Sequence, residues 1–77
     1  GMSHPIDRCI QEVLADYFRD LKGAEPHNLH QMVMDAAEKP LLEAVLKQAG
    51  GNQSKAADWL GIHRNSLRRK LVQHGLT

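Results

Sequence analysis

The sequence predicts an all-α fold of four helices, and three observations support this. Apolar residues recur at intervals of three and four along most of the chain, which is the period of an amphipathic helix. Glycine and proline interrupt this period at Gly23–Pro26, at Gly50–Gly51 and at Gly61. The segment Gln53–Val72 has the residue spacing of a helix-turn-helix. With 77 residues, the chain is long enough for one small domain.

The first helix is predicted from about Pro5 to Lys22. Proline suits the first turn of a helix, Ser3 or His4 can cap it, and Gly23 ends it. Its apolar positions form one broad face and are Ile6, Ile10, Val13, Leu14, Tyr17, Phe18 and Leu21.

The second helix is predicted from His27 or Asn28 to Ala49, before the glycine pair Gly50–Gly51. Pro40 lies inside it, removes one backbone donor and crowds the carbonyl four residues earlier, so we expect a kink there. Its apolar positions are Leu29, Met32, Val33, Ala36, Ala37, Leu41, Leu42, Val45, Leu46 and Ala49.

The apolar faces of these two helices are larger than two short C-terminal helices can cover. Because a domain of this size is marginal alone, the surplus favours a homodimer in which residues 5–50 are the dimerisation helices. An ordinary four-helix core within one chain is the alternative. Residues 51–77 complete what is a single domain overall.

Residues 51–77 are predicted to form a third helix at about Gln53–Leu60 and a fourth at about Arg64–His74. Asn52 can cap the third helix, Gly61 suits a left-handed turn after it, and Gly75 ends the fourth.

The spacing inside this pair has a mechanical reason at each position. Counting Gln53 as the first residue, Ala57 is the fifth, where two closely crossing helices leave room only for a small side chain. Ile62 at the tenth position and Leu67 at the fifteenth fill the gap between the helices. We expect Trp59 to be a partly buried anchor of the third helix against the second.

Charge is divided unevenly along the chain, although the formal net charge is only +1. Residues 1–50 carry five basic and eight acidic side chains, whereas residues 51–77 carry five basic and one acidic. A basic end on an acidic body favours binding of a polyanion, which for a helix-turn-helix is DNA. A solvated helix with a chance bias in charge is the alternative.

Arg64 and Arg68 are the candidates for reading bases. They lie one turn apart on the fourth helix and so share a face, and Arg64 is near the helix N-terminus, the end that enters the major groove. The guanidinium fork matches O6 and N7 of guanine. A solvent-facing ion pair is the alternative, but the fourth helix has no acidic residue.

The other contacts are predicted from polar side chains at the starts of the last two helices. Free N–H groups at a helix N-terminus bind phosphate, and Asn52 can be a cap, a phosphate ligand or both. Gln53, Ser54 and Lys55 follow it at the start of the third helix and are expected to help hold a phosphate. His63 and Asn65 flank the start of the fourth helix within reach of a base edge or a phosphate. Arg69 and Lys70 are assigned to phosphates.

No other chemistry is indicated. Cys9 is the single cysteine, so the chain can form neither an internal disulfide nor a thiolate metal site, which suits a reducing cytosol. We expect its thiol to pack beside the apolar face of the first helix. The five histidines lack a third ligand at metal-binding spacing and are expected to be surface imidazoles. We expect no catalytic residues, cofactor, metal or small-molecule ligand, and no signal peptide or membrane segment.

Two parts of the chain resemble a known family. Gly51–Ala57 (GNQSKAA) with Leu60–Leu71 (LGIHRNSLRRKL) closely resembles the C-terminal motif of the Fis family, the factor for inversion stimulation of bacteria. Tyr17–Gly23 and Glu38–Leu42 resemble the dimerisation helices of that family, including the proline. The resemblance spans roughly residues 6–77. The motif alone is shared with the DNA-binding tails of nitrogen-regulatory enhancer-binding activators.

The resemblance implies a cytoplasmic, nucleoid-associated homodimer that regulates transcription and bends duplex DNA. The first two helices of each subunit would intertwine, and the two recognition helices would lie closer together than one DNA turn. Arg64 and Arg68 would contact bases, while the backbone would be held by Asn52, Gln53, Ser54, Ser66 and Arg69.

Three features depart from the family pattern. The chain starts almost at the first helix, so we expect the short form without the N-terminal β-hairpin arm, and Gly1 before Met2 is interpreted as a tag remnant. His63 stands where the family usually has asparagine. Val72-Gln73-His74 is poorer in lysine than usual, which predicts weaker binding of flanking DNA. The rival functions are the tail of a larger activator and a helical module that binds an acidic protein.

Overall fold

The computed structural model describes residues 5–77, which form four helices: α1 (Pro5–Leu21), α2 (Leu29–Gln48), α3 (Gln53–Leu60) and α4 (Arg64–Gln73). The all-α prediction is confirmed, since no strand occurs in this part of the chain. The predicted bounds of α3 match, and those of the other helices differ by one or two residues. The proposed cap at Ser3 or His4 lies outside the described residues. No helix within residues 5–77 has the length and apolar character needed to cross a bilayer.

The connection from α1 to α2 begins one residue before the predicted glycine. Lys22 (φ 52°) and Gly23 (φ 88°) are both left-handed, so α1 ends at Leu21. Asn28 (φ 53°) precedes α2 without a side-chain cap, and asparagine is among the residues that tolerate this conformation.

Helix α2 runs through Pro40 without interruption, and the kink expected there stays a prediction. Gly50 and Gly51 follow it with φ of 66° and 81°. Two successive left-handed residues strain any side chain with a β-carbon, so the glycine pair is what turns the chain sharply into α3. The Gly51 N–H closes the turn by donating to the Leu46 carbonyl at 2.9 Å.

The hydrophobic core lies between the C-terminal half of α2 and the two short helices. Its partly buried members are Val45, Leu46, Leu60, Ile62 and Leu76, and they pack on six buried residues: Leu42, Ala49, Ala56, Ala57, Leu67 and Leu71. The short helices are therefore held firmly on the end of α2.

Helix α1 contributes no buried residue to this core. An open apolar trough of about 770 Å³ separates it from the first half of α2, and Ile6, Val13 and Phe18 remain about half exposed. Cys9 lines this trough and is exposed, so the expectation that its thiol is packed is wrong for the single chain.

Candidate nucleic-acid interface

Helices α3 and α4 form the predicted helix-turn-helix. Ala57 is 3% exposed where α3 crosses α4, and Leu67 is fully buried. Gly61 ends α3 with φ 74°, and the Ile62 N–H donates back to the Ala57 carbonyl at 3.1 Å. The structure therefore agrees with the roles predicted for four motif positions: Ala57 at the fifth, Gly61 at the ninth, Ile62 at the tenth and Leu67 at the fifteenth.

The start of α3 is capped by Asn52. Its Oδ1 accepts a hydrogen bond from the Lys55 N–H at 3.0 Å, which confirms the cap prediction. Gln53 is half-buried, whereas Ser54 and Lys55 are exposed. The exposed side chains of Ser54 and Lys55 therefore lie at the N-terminus of α3, the end of a helix that favours a phosphate.

Trp59, which was predicted to be a partly buried anchor of α3 against α2, is 53% exposed. The buried residues of α3 are the small Ala56 and Ala57. The ring lies under the Lys55 ammonium, 5.2 Å from the centroid, one turn away on the outer face.

His63 is the cap of α4. Its Nδ1 accepts a hydrogen bond from the Asn65 N–H at 3.1 Å, and its φ of −68° and ψ of 144° are the extended values typical of a cap. Because Nδ1 is the acceptor, Nε2 is the nitrogen that carries the proton and can donate outward. Sequence reasoning placed His63 beside DNA but did not identify the cap.

Arg64, Arg68 and Arg69 are exposed on α4. None of the three makes an ion pair or a side-chain hydrogen bond with any residue from 5 to 77. The ion-pair alternative for Arg64 and Arg68 is therefore wrong, and the three guanidinium groups are exposed without a partner among residues 5–77. Asn65 is exposed as well, and Ser66 is half-buried.

Lys70 points about 100° around the helix from Arg69, toward α2. Its ammonium lies 2.9 Å from Oε2 of Glu38 on α2, and its side chain is only 36% exposed. The other oxygen of Glu38 contacts His74 Nε2 at 2.9 Å, and the His74 side chain is 8% exposed. His74 is thus a buried contact and not the predicted surface imidazole, and Lys70 has a protein partner where a phosphate contact was predicted.

Asp35, Glu38 and His74 bring three potential metal ligand atoms within 4.8 Å of one another. The Lys70 ammonium sits on the same Glu38 carboxylate, and hydrogen bonds from Lys70 and His74 lower the pKa of Glu38. The group is therefore also part of an ion-pair network, in which both oxygens of Glu38 already have protein partners.

The family model described as "Bacterial regulatory protein, Fis family" matches residues 33–74. This segment covers the second part of α2 and the entire helix-turn-helix. The chain belongs to the Fis family.

Similarity to Fis family proteins extends over nearly all of the sequence. The chain is 58% identical over 73 residues to a Fis-like DNA-binding protein of Ralstonia nicotianae, covering 95% of each chain. It is 55% identical over 71 residues to a Fis-like DNA-binding protein of Neisseria meningitidis, covering 92% of this chain and 90% of the relative. With the DNA-binding protein Fis of Glaesserella parasuis it shares 35% identity over 75 residues, covering 97% of this chain and 76% of the relative.

Two further residues near the candidate interface were not among the predicted site residues. Glu38 is 32 residues from Lys70 in sequence, and no local pattern links the two. Val72 is 63% exposed and lies one turn beyond Arg68 on the same side of α4. The sequence had marked Val72 as a place where the family usually has more lysine, and the structure adds that its side chain is exposed.

Proposed function

We propose that this Fis family protein is a homodimeric transcription regulator that binds and bends duplex DNA in the bacterial nucleoid. The observation that carries the proposal is the set of three exposed arginines on α4, Arg64, Arg68 and Arg69, which pair with no residue from 5 to 77. Guanidinium groups without protein partners, on the second helix of a helix-turn-helix, are available to bases and phosphates. The names of the relatives, which are DNA-binding proteins, support the same function.

The division of contacts follows from position on α4. Arg64 and Arg68 are assigned to bases, with Asn65 and His63 at the helix start within reach of base edges or phosphates. Arg69 lies about 100° around the helix from Arg68 and is assigned to a phosphate. Backbone contacts at the start of α3 are assigned to Asn52, Gln53, Ser54 and Lys55, and Ser66 joins them from α4.

The surface of the single chain supports the homodimer. Its accessible surface is 6215 Å², whereas a folded monomer of this mass exposes about 4,700 Å². Its radius of gyration is 15.3 Å, against about 11.5 Å for a compact domain of this length. A second copy of the chain that filled the trough between α1 and α2 would cover the excess accessible surface. The excess on two such chains is of the size of an obligate interface.

Fluorescence anisotropy with a labelled random-sequence duplex at two salt concentrations tests the DNA-binding proposal. We expect the association constant to fall steeply with salt, since each neutralised phosphate contributes about −0.9 to the slope of log K against log salt. Energy transfer between labels at the two duplex ends should increase on binding because the DNA bends.

Two outcomes would contradict the proposal. Absence of binding near physiological salt would leave the basic side of α4 without its assigned ligand. Binding that is insensitive to replacement of Arg64 and Arg68 together by alanine would move the interface away from α4.

A further inference from the structure

Glu38 joins α2 to the C-terminal end of α4 by a pair of charge-assisted contacts. One carboxylate oxygen lies 2.9 Å from Lys70 Nζ, and the other lies 2.9 Å from His74 Nε2. Lys70 and His74 are one turn apart near the C-terminal end of α4, and Glu38 is in the middle of α2. A single carboxylate on α2 therefore holds two successive turns of α4.

These contacts supply a directional restraint that the apolar core lacks. Helix α3 packs against both α2 and α4, and leucines of α2 and α4 meet in the same core. Apolar packing has little directional preference, whereas two hydrogen bonds to one carboxylate fix an angle. Among the ion pairs of residues 5–77, those of Glu38 join two different helices, and the Arg19–Asp16 pair lies within α1.

The angle between α2 and α4 has a consequence in the proposed homodimer. Helix α2 belongs to the dimer core, and α4 carries the arginines that meet DNA. A change in this angle moves both recognition helices at once, because the two subunits are related by symmetry. The spacing of half-sites that the dimer accepts would then depend on how rigidly Glu38 holds α4.

We propose that Glu38 is a positioning residue that fixes the orientation of the recognition helix on the dimer core and thereby sets the preferred half-site spacing. The proposal rests on the proposed function, and it assigns to Lys70 a structural partner in place of a phosphate. Glu38 itself touches no DNA in this scheme.

The test measures binding to a series of duplexes whose two half-sites, taken from sequences selected by the wild-type protein, are moved apart or together by one base pair. One base pair turns one half-site by roughly 35° relative to the other. Glu38→Gln should reduce the ratio between the affinities for the best and the shifted spacings by about two- to thirtyfold. Glu43→Gln is the matched control, since Glu43 is an exposed carboxylate on the same helix, and it should keep the wild-type ratio.

Lys70→Met distinguishes the two roles of that lysine. If Lys70 acts through Glu38, this variant should broaden the spacing preference as Glu38→Gln does. If Lys70 binds a phosphate, it should weaken all duplexes by one factor and lower the salt slope by about one. Lys47→Met, at an exposed lysine of α2, controls for the loss of charge.

A measurement without DNA separates this proposal from the proposed function. Residual dipolar couplings of backbone amides report the angle between α2 and α4, which should change or become averaged in Glu38→Gln but not in Glu43→Gln. An unchanged angle together with an unchanged spacing ratio would overturn the role of Glu38. Failure of the wild-type protein to bind any duplex would overturn the proposed function, while the couplings would still decide whether Glu38 fixes α4.

Discussion

At the scale of single residues, neighbouring cations on α4 have different surroundings. Arg69 is exposed and unpaired, whereas Lys70, the next residue, turns toward α2 and meets Glu38. The difference arises because consecutive residues point about 100° apart on a helix, so one faces solvent and the other faces the protein. Residue type alone does not separate a DNA contact from a structural ion pair here.

Replacement of Arg68 or Arg69 by alanine should affect DNA binding in different ways. Arg68→Ala should cost about 1–3 kcal/mol and flatten the base preference at one position in each half-site. Arg69→Ala should weaken selected and random duplexes by similar factors and lower the salt slope by about one. Anisotropy titrations with matched duplexes measure both.

Arg19→Ala is the control for these two variants, since Arg19 is 72% exposed on α1 and pairs only with its neighbour Asp16. Arg19→Ala should leave the affinities for the selected and the random duplexes close to the wild-type values. Equal weakening of all sequences by Arg68→Ala would contradict its assignment to bases, and unfolding would contradict its outward orientation.

The Glu38 network predicts how stability depends on pH. Hydrogen bonds from Lys70 and then from His74 hold the pKa of Glu38 below its ordinary value of 4.5, and Asp35 is the neighbouring carboxylate on α2. A carboxyl whose pKa is lower in the folded state stabilises the fold above its unfolded-state pKa, and this contribution is lost as the pH falls through the folded-state pKa. Glu38→Gln should therefore be less stable than the wild-type protein at neutral pH.

Urea denaturation at a fixed protein concentration measures this difference between pH 7 and about pH 3. The gap between wild type and Glu38→Gln should narrow toward the acid end, because protonation of Glu38 removes the charge that Lys70 and His74 stabilise. Glu43→Gln should show no comparable gap at neutral pH. A gap that stays constant across the range would show that the charge of Glu38 is not what stabilises the contact.

At the scale of secondary-structure elements, α3 and α4 are too short to be stable alone. They have eight and ten residues, and each begins with a side-chain cap, Asn52 for α3 and His63 for α4. Isolated helices of this length are marginal in water, so caps and packing on α2 supply most of their stability.

Replacement of His63 tests the cap at the start of α4. His63→Asn should retain the wild-type free energy of unfolding, because asparagine is a strong cap, whereas His63→Ala should lose about 1 kcal/mol. Thermal or urea unfolding measures both, and His27→Ala, at an exposed loop histidine, is the control. If His63→Ala were as stable as wild type, the Nδ1 contact with Asn65 would contribute nothing to α4.

At the scale of the whole molecule, the single chain is incomplete as a folding unit. Its core covers the end of α2 and the helix-turn-helix, whereas α1 and the first half of α2 expose apolar side chains across an open trough. An exposed apolar surface of this extent on a soluble domain marks an interface. The proposed homodimer places that interface at the end of the molecule away from α4.

Val13→Asp tests the location of the dimer interface. Val13 is 54% exposed in the single chain, so the change would be nearly neutral if that chain were the folded unit. In the proposed dimer, Val13 would be buried, and an unpaired charge there should dissociate or unfold the protein. Sedimentation equilibrium at micromolar concentration and circular dichroism measure the two effects.

Gln11→Asp introduces the same charge at an exposed position of α1 and is the control. It should sediment as the wild-type dimer. A compact wild-type monomer at micromolar concentration, or a Val13→Asp protein that sediments like Gln11→Asp, would contradict the proposed interface.

The sequence by itself determined the four helices, the turn at Gly61 and the exposed arginines. These follow from interactions within a few residues: the apolar period, the caps and the left-handed preference of glycine. The Asn52 cap and the burial of Ala57 could be predicted because the helix-turn-helix spacing fixes which side of α3 meets α4.

Only the tertiary structure decided which way Lys70, His74, Trp59 and Cys9 point. Each lies at the edge of an apolar face, where a small rotation of the helix moves a side chain between the interior and the solvent. The partner that decides the outcome is distant in sequence, as Glu38 is for Lys70 and His74. Local patterns carry no information on such contacts, because they form only when α2 and α4 are already packed on α3.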